Sequence, residues 1–144
     1  MKLRKKSAYG LKYHIRYNNG YKPPLDISFN NIDGSVDCIK YIIQDERIFF
    51  DDINYDIIDS DSIFDIPYFI DEINYICNRQ GEFVVYFNDS NLFIIKKDIS
   101  LYNFMGYSID INTMLLFQEK DFCGILIKDI NENEMEELRK SKCI

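Results

Sequence analysis

The run Asp52-Ile53-Asn54-Tyr55-Asp56 sets oxygen-bearing side chains at alternate positions, as the opening of a calcium-binding loop does. The chemistry would be coordination of a hard cation by carboxylate and amide oxygens. The match ends downstream, because Ile57 stands where such a loop needs its sharp-turn glycine and Ile63 where it needs a closing bidentate glutamate. Asp59 and Asp61 extend the carboxylate series, and a magnesium-assisted phosphodiester reaction needs few such groups beside the substrate's own phosphates. No pattern in the chain positions a nucleophile for it. The single histidine, His14, lies between Lys12 and Arg16, and no neighbour in the sequence is identifiable as the group that would orient it as a general base. Cys38, Cys77, Cys123 and Cys143 never approach the C-x-x-C spacing of zinc or redox sites; reduced, buried thiols are expected, with no disulfide pairing indicated. Neither G-x-G-x-x-G nor G-x-x-x-x-G-K occurs, so nucleotide binding is set aside. The expectation is a protein with no catalytic residue, no cofactor and no metal.

Charge is sorted along the chain. Residues 1–25 hold seven Lys or Arg and no acid, residues 26–72 hold thirteen Asp or Glu against two bases, and the remainder holds eleven acids and eight bases. Lys2, Arg4, Lys5, Lys6, Lys12, Arg16 and Lys22 are interleaved with Tyr9, Tyr13, Tyr17 and Tyr21, the mixture that single-strand nucleic-acid binders use for phosphate contact and stacking. A net charge of −7 opposes that use. Tyrosines sharing a core face with Leu11 and Ile15 would pack and not stack on bases, so direct nucleic-acid binding is not expected. The acidic block is the stronger candidate. Asp45, Glu46, Asp51, Asp52, Asp56, Asp59 and Asp61, with Tyr55 among them, are opposed locally only by Arg47 and spaced by Phe49, Phe50 and Phe64. Carboxylates match the Arg and Lys that ordinarily hold phosphate, and exposed rings supply desolvated anchors, so this combination suits occupation of a basic cleft on another protein.

The elements that must position these groups follow from periodicity. A chain of 144 residues, 47% hydrophobic, is the size of one domain spanning 1–144. Ile occurs 24 times and Ala once, so local preference leans to strand. Alternation predicts strands over 9–17 and 25–29, with Pro23-Pro24 holding that end at an edge. Helical spacing of Val36, Ile39, Ile42 and Ile43 predicts a helix over 35–45. Asp65, Pro67 and the apolar run to Cys77, with Arg79 in the last turn and Gly81 beyond, predict a second. Between them 47–64 reads equally as a strand with one acidic face or as an Asp-rich loop. Residues 82–87 and 92–97 read as a hairpin around a four-residue loop, and 107–128 as an antiparallel meander. Asn131 with Glu134 forms a capping box that opens a closing helix. The expected class is α+β: a mostly antiparallel sheet of about six to eight strands with two or three helices. The basic start Met1–Lys6 is not followed by the apolar run of a signal peptide, and no stretch is long and apolar enough to span a membrane, so a cytoplasmic protein is expected.

A small, acidic, Ile- and Asn-rich one-domain α+β chain, with the acids of 45–72 and no catalytic motif, resembles the immunity proteins of bacterial toxin systems, including those of contact-dependent growth inhibition. The resemblance implies an inhibitor that binds one cognate basic toxin domain, frequently a nuclease, and blocks its active-site cleft. The alternatives are a metal-dependent phosphodiester-acting enzyme using the Asp carboxylates, and an RNA-binding module using the basic, Tyr-rich first segment.

Overall fold

A computed structural model of the protein describes residues 2–3, 12–19, 22–30, 36–42, 48–59, 76–119 and 121–140. They gather into two compact units, one holding residues 48–59, 83–119 and 121–140, the other residues 2–3, 12–19, 22–30, 36–42 and 76–82. Of the elements among the described residues, twelve are strands and one is a helix, so the class is mostly β and not α+β.

The second unit carries a five-stranded sheet of β1 (Lys2–Leu3), β2 (Lys12–Asn19), β3 (Lys22–Asn30), β4 (Val36–Ile42) and β7 (Ile76–Gln80), in the order β1-β4-β3-β2-β7. Two expected helices are corrected here. Val36–Ile42 is a strand, antiparallel to β3 with Ile39 opposite Ile27. The register shifts between Ser28 and Phe29, and this bulge puts Val36 on the same buried face as Ile39 and Tyr41. A three-residue gap between buried positions therefore imitates helical spacing. Ile76–Gln80 is likewise a strand, parallel to β2, and the Gly81 N–H donates to the Asn18 carbonyl at 3.0 Å instead of closing a helix. The remainder of that predicted helix, 65–75, lies outside the described residues. Pro23-Pro24 sits in an interior strand and not at a sheet edge. It is tolerated there because β3 pairs with β4 only from Asp26 onward.

The first unit carries a seven-stranded sheet and the helix. Its strands are β5 (Ile48–Phe50), β6 (Tyr55–Asp59), β8 (Phe83–Asn88), β9 (Asn91–Lys96), β10 (Phe104–Ser108), β11 (Thr113–Gln118) and β12 (Asp121–Ile127), in the order β5-β8-β9-β12-β11-β10-β6. The β8–β9 hairpin turns in two residues and not four. Asn88 pairs with Asn91, and Asp89 and Ser90 both take positive φ (46° and 68°), as the tight primed turn requires. The central strands are continuously apolar, Leu92–Ile95, Met114–Phe117 and Phe122–Leu126, because both of their faces are buried. Helix α1 (Glu132–Lys140) opens as expected: the Glu134 N–H donates to Asn131 Oδ1 at 2.9 Å and the Asn131 N–H to Glu134 Oε1 at 3.3 Å.

The edges of this sheet, β5 and β6, are consecutive in the chain and joined by Asp51–Asn54 alone. Six strand spacings in a flat sheet amount to about 29 Å, whereas the five Cα steps from Phe50 to Tyr55 reach at most about 19 Å. The sheet must therefore curl until its edges approach. The pairings make β5 and β6 run in the same direction, so the chain passes from one edge to the other without reversing. Ile53, within the link, is buried among Phe93, Ile95, Phe104, Met114, Leu116, Cys123 and Leu126, side chains of four different strands. Truncating Ile53 to Ala should cost about 2–4 kcal/mol, read as a lowered urea midpoint, and an unchanged midpoint would show that the closure does not depend on it.

Close backbone approach fixes a second point of the sheet. A Cβ on Gly124 would lie 2.1 Å from the Ile94 carbonyl oxygen, across the β12–β9 ladder, whereas one on Gly106 would meet the flexible Met114 sulfur at 3.0 Å. Gly124→Ala should therefore destabilise by about 3 kcal/mol or more, and Gly106→Ala distinctly less, by thermal or urea unfolding of each variant.

Candidate functional site

The expected partner-binding residues divide by position. Asp45, Glu46 and Asp61, with Phe64, lie outside the described residues. Asp59 ends β6, and its side chain is likewise outside them. Asp51, Asp52, Tyr55 and Asp56 all belong to the segment 48–59 that joins the two sheet edges. That segment is neither wholly strand nor wholly loop: two short edge strands flank a link with no strand pairing.

Burial alternates only over 53–56, and residues 49–52 are all exposed. Ile48 and Ile53 are buried and Tyr55 half-buried, whereas Asp51, Asp52, Asn54 and Asp56 are exposed. The inward residues pin the segment to the core, and the outward ones present carboxylates to solvent. Among the described residues no cation forms a salt bridge with Asp51, Asp52 or Asp56; the Asp51 carboxylate instead accepts the Asp52 N–H at 2.8 Å. Asp26, in the other unit, is handled differently: its carboxylate meets His14 Nδ1 at 3.1 Å and Arg16 at 3.3 Å. The orienting group that His14 lacks in the sequence is thus Asp26, brought opposite by the β2–β3 register.

Apolar groups border the acids. Phe50 is 69% exposed and Ile57 57%, both large for water-facing side chains, and Phe49 is also exposed. Phe49 and Phe50 point to opposite faces of β5. Phe49 lies 5.8 Å from Tyr86, and Phe50 meets Phe87 edge-on at 6.1 Å. Tyr55 meets Phe93 edge-on at 6.2 Å, and Phe93 is the ladder partner of Tyr86. Each tyrosine is coupled to a carboxylate. Burial raises the Tyr86 pKa, with Asp51 adding to it, and burial raises that of Tyr55, with Asp129 adding to it. Asp129 is exposed at a positive φ of 55° after β12 and acts on Tyr55 through its charge. Sequence reasoning missed it because it lies far from the acidic block, and only the folded sheet brings it toward Tyr55.

Among the described residues no three His, Cys, Asp or Glu side chains converge as metal ligands. Cys123 is buried, and burial pushes its thiol pKa up. Tyr17 is buried on the core face of β2 beside Ile15, and Arg16 is engaged by Asp26, so neither is placed to serve a nucleic-acid strand. Tyr9 and Tyr21 lie outside the described residues, as do the side chains of Lys12, Tyr13 and Lys22. No helix among the described residues is long and apolar enough to cross a membrane. No family model matches the chain, and no curated protein is significantly similar to it.

The paired couplings are separable by titration. Both phenols hold their protons beyond the usual value of 10.0 in the fold. The unfolded chain ionises them from that value, so their contribution to stability is complete below pH 10 and is lost as pH rises toward the folded values. Asp129→Asn should lower the Tyr55 pKa and leave Tyr86 unchanged, and Asp51→Asn the reverse, by ultraviolet titration of phenolate in Tyr55→Phe and Tyr86→Phe backgrounds. All eleven tyrosines ionising together near pH 10 would contradict this placement.

Proposed function

We propose that the chain is a stoichiometric protein inhibitor of the immunity-protein type, acting in the cytoplasm by occupancy and not by turnover. It covers the basic active-site cleft of a cognate toxin domain with the acidic, aromatic segment 48–59. One observation carries this reading: Asp51, Asp52 and Asp56 are each exposed, as are Phe50 and Ile57, on one short segment anchored by buried Ile48 and Ile53. Carboxylates left to solvent cost little to desolvate partially against Arg or Lys, and a fixed row of them steers a cationic partner before contact. The adjoining rings supply apolar area that excludes water once contact is made. A nuclease cleft built to hold phosphate has the charge and donors to accept such a surface.

The test begins with co-purification: a basic polypeptide retained by this chain is assayed for direct association and for toxicity to a host that lacks the chain. Asp51→Lys, Asp52→Lys and Asp56→Lys together should slow association by roughly tenfold or more at low salt and abolish protection of an exposed host. Binding of the unaltered chain should weaken as ionic strength rises. Because the three positions are exposed, the unfolding midpoint should stay nearly unchanged. Unchanged protection by that triple variant would overturn the assignment of this face.

A further inference from the structure

Four aromatic rings of the first unit form a row near the turn of the β8–β9 hairpin. Tyr86 lies opposite Phe49 in one ladder and opposite Phe93 in the next, so the three share a face of the sheet. The Phe49 and Tyr86 rings stand 5.8 Å apart and are inclined at 39°, so they cover each other only in part. Tyr55 adds the fourth ring, edge-on to Phe93 at 6.2 Å. Phe93 is buried, Tyr55 and Tyr86 are half-buried against the same core cluster, and Phe49 is 39% exposed. Phe93 thus closes the floor of the row, and the other three reach solvent.

Carboxylates lie at the same end of the hairpin. Asp51 continues β5 one residue past Phe50, the partner of Phe87. Asp129 is tied to the turn: its N–H donates to Asn91 Oδ1 at 3.4 Å, and the Ile130 N–H donates to the Ser90 carbonyl at 2.8 Å. Asp89, in the turn itself, is a third exposed carboxylate. Among the described residues no cation, Lys128 beside Asp129 included, forms a salt bridge with any of the three. Burial raises both phenol pKa values, with Asp51 adding to that of Tyr86 and Asp129 to that of Tyr55, so each carboxylate's field reaches a ring. Ring faces are themselves electron-rich and attract a cation held over them. A metal ion would need ligands that converge, and no three do so among the described residues. A guanidinium fits better, because it is planar and weakly hydrated, stacks on rings and donates to carboxylates at its edge.

We propose that Phe49, Tyr55 and Tyr86, above the floor of Phe93, form an aromatic site that receives one arginine side chain of the cationic partner, with Asp51 and Asp129 as counter-charges. This rests on the reading of 48–59 as the partner-binding face and extends that face to Tyr86 and Asp129. An arginine seated there is desolvated on rings and paired at its edge, as the dominant residues of tight interfaces are.

Two small probes test the site on the intact, isotope-labelled chain: N-acetyl-arginine methylamide, and its citrulline counterpart of the same shape without the charge. The arginine probe should shift the ring signals of Phe49, Tyr55 and Tyr86, and its own methylene protons should move upfield in the ring currents. The citrulline probe should bind at least about fivefold more weakly. Phe49→Leu keeps apolar area at an exposed position but removes the ring face, and should weaken the arginine probe by about two- to fivefold. Asp51→Asn with Asp129→Asn should weaken it by at least a similar factor. Equal binding of the two probes, shifts confined to rings elsewhere, or unchanged arginine binding in both variants would overturn the site. Failure of the arginine probe to bind, with protection still lost in the triple lysine variant, would overturn the site and leave the acidic face standing. Specific arginine binding with protection unchanged in that variant would instead overturn the partner reading while the arginine site stands.

Discussion

Four residues between two sheet edges constrain most of what the first unit does. Asp51–Asn54 is too short to cross a flat seven-stranded sheet, so the curl that brings β5 and β6 together is a covalent requirement and not merely a packing preference. Ile53 makes the requirement energetically acceptable by burying itself among residues of β9, β10, β11 and β12. Once that side chain points inward, the period-two geometry of extended backbone turns Asp52, Asn54 and Asp56 outward. The acidic face is therefore a geometric consequence of the closure.

Two aspartate environments show how the chain distributes charge. Asp26 is mostly buried in side-chain terms and held by His14 and Arg16, so its charge is spent on cross-strand pairing within the five-stranded sheet. Part-buried pairs of this kind contribute modest stability, and removing one partner costs more than the pair supplies. Asp51, Asp52 and Asp56 have no such ion pair among the described residues, and Asp129 adds its field near Tyr55. Self-repulsion among these groups is tolerable in water because screening limits its range to about 8–10 Å. Their combined potential is strongest where a partner's cations displace that water.

What the sequence made legible was what lies within a few residues. The Asn131–Glu134 capping box, the hairpin around Asp89-Ser90 and the meander strands at 114–117 and 122–127 all depend on local determinants and all occur. The predicted helix over 35–45 failed because a bulge opposite Ser28 and Phe29 restores Val36 to the buried face, a displacement set by the partner strand and invisible in the periodicity of either strand alone. Ile76–Gln80 failed similarly, since its parallel pairing with β2 joins residues about sixty positions apart. The alternation of Ile53, Tyr55 and the aspartates was visible. That its two ends lie on opposite edges of one sheet was not, because closure depends on the order of all seven strands. The influence of Asp129 on Tyr55 was hidden for the same reason.

The proposed placement of a binding face on the closing segment has an energetic logic. A loop that orders on binding loses conformational freedom at that moment, and the loss subtracts directly from affinity. Segment 48–59 has already undergone that ordering during folding, because Ile48 and Ile53 are buried and Phe49 and Phe50 rest against Tyr86 and Phe87. Its exposed carboxylates therefore meet a partner with their backbone fixed, and the remaining cost is chiefly that of side-chain rotamers, small for aspartate. Glutamate or lysine at the same positions would carry more rotamer freedom to lose. On the proposed reading, aspartate at 51, 52 and 56 would serve steering and low ordering cost together, and nearby exposed rings such as Phe50 would slow dissociation once contact is made.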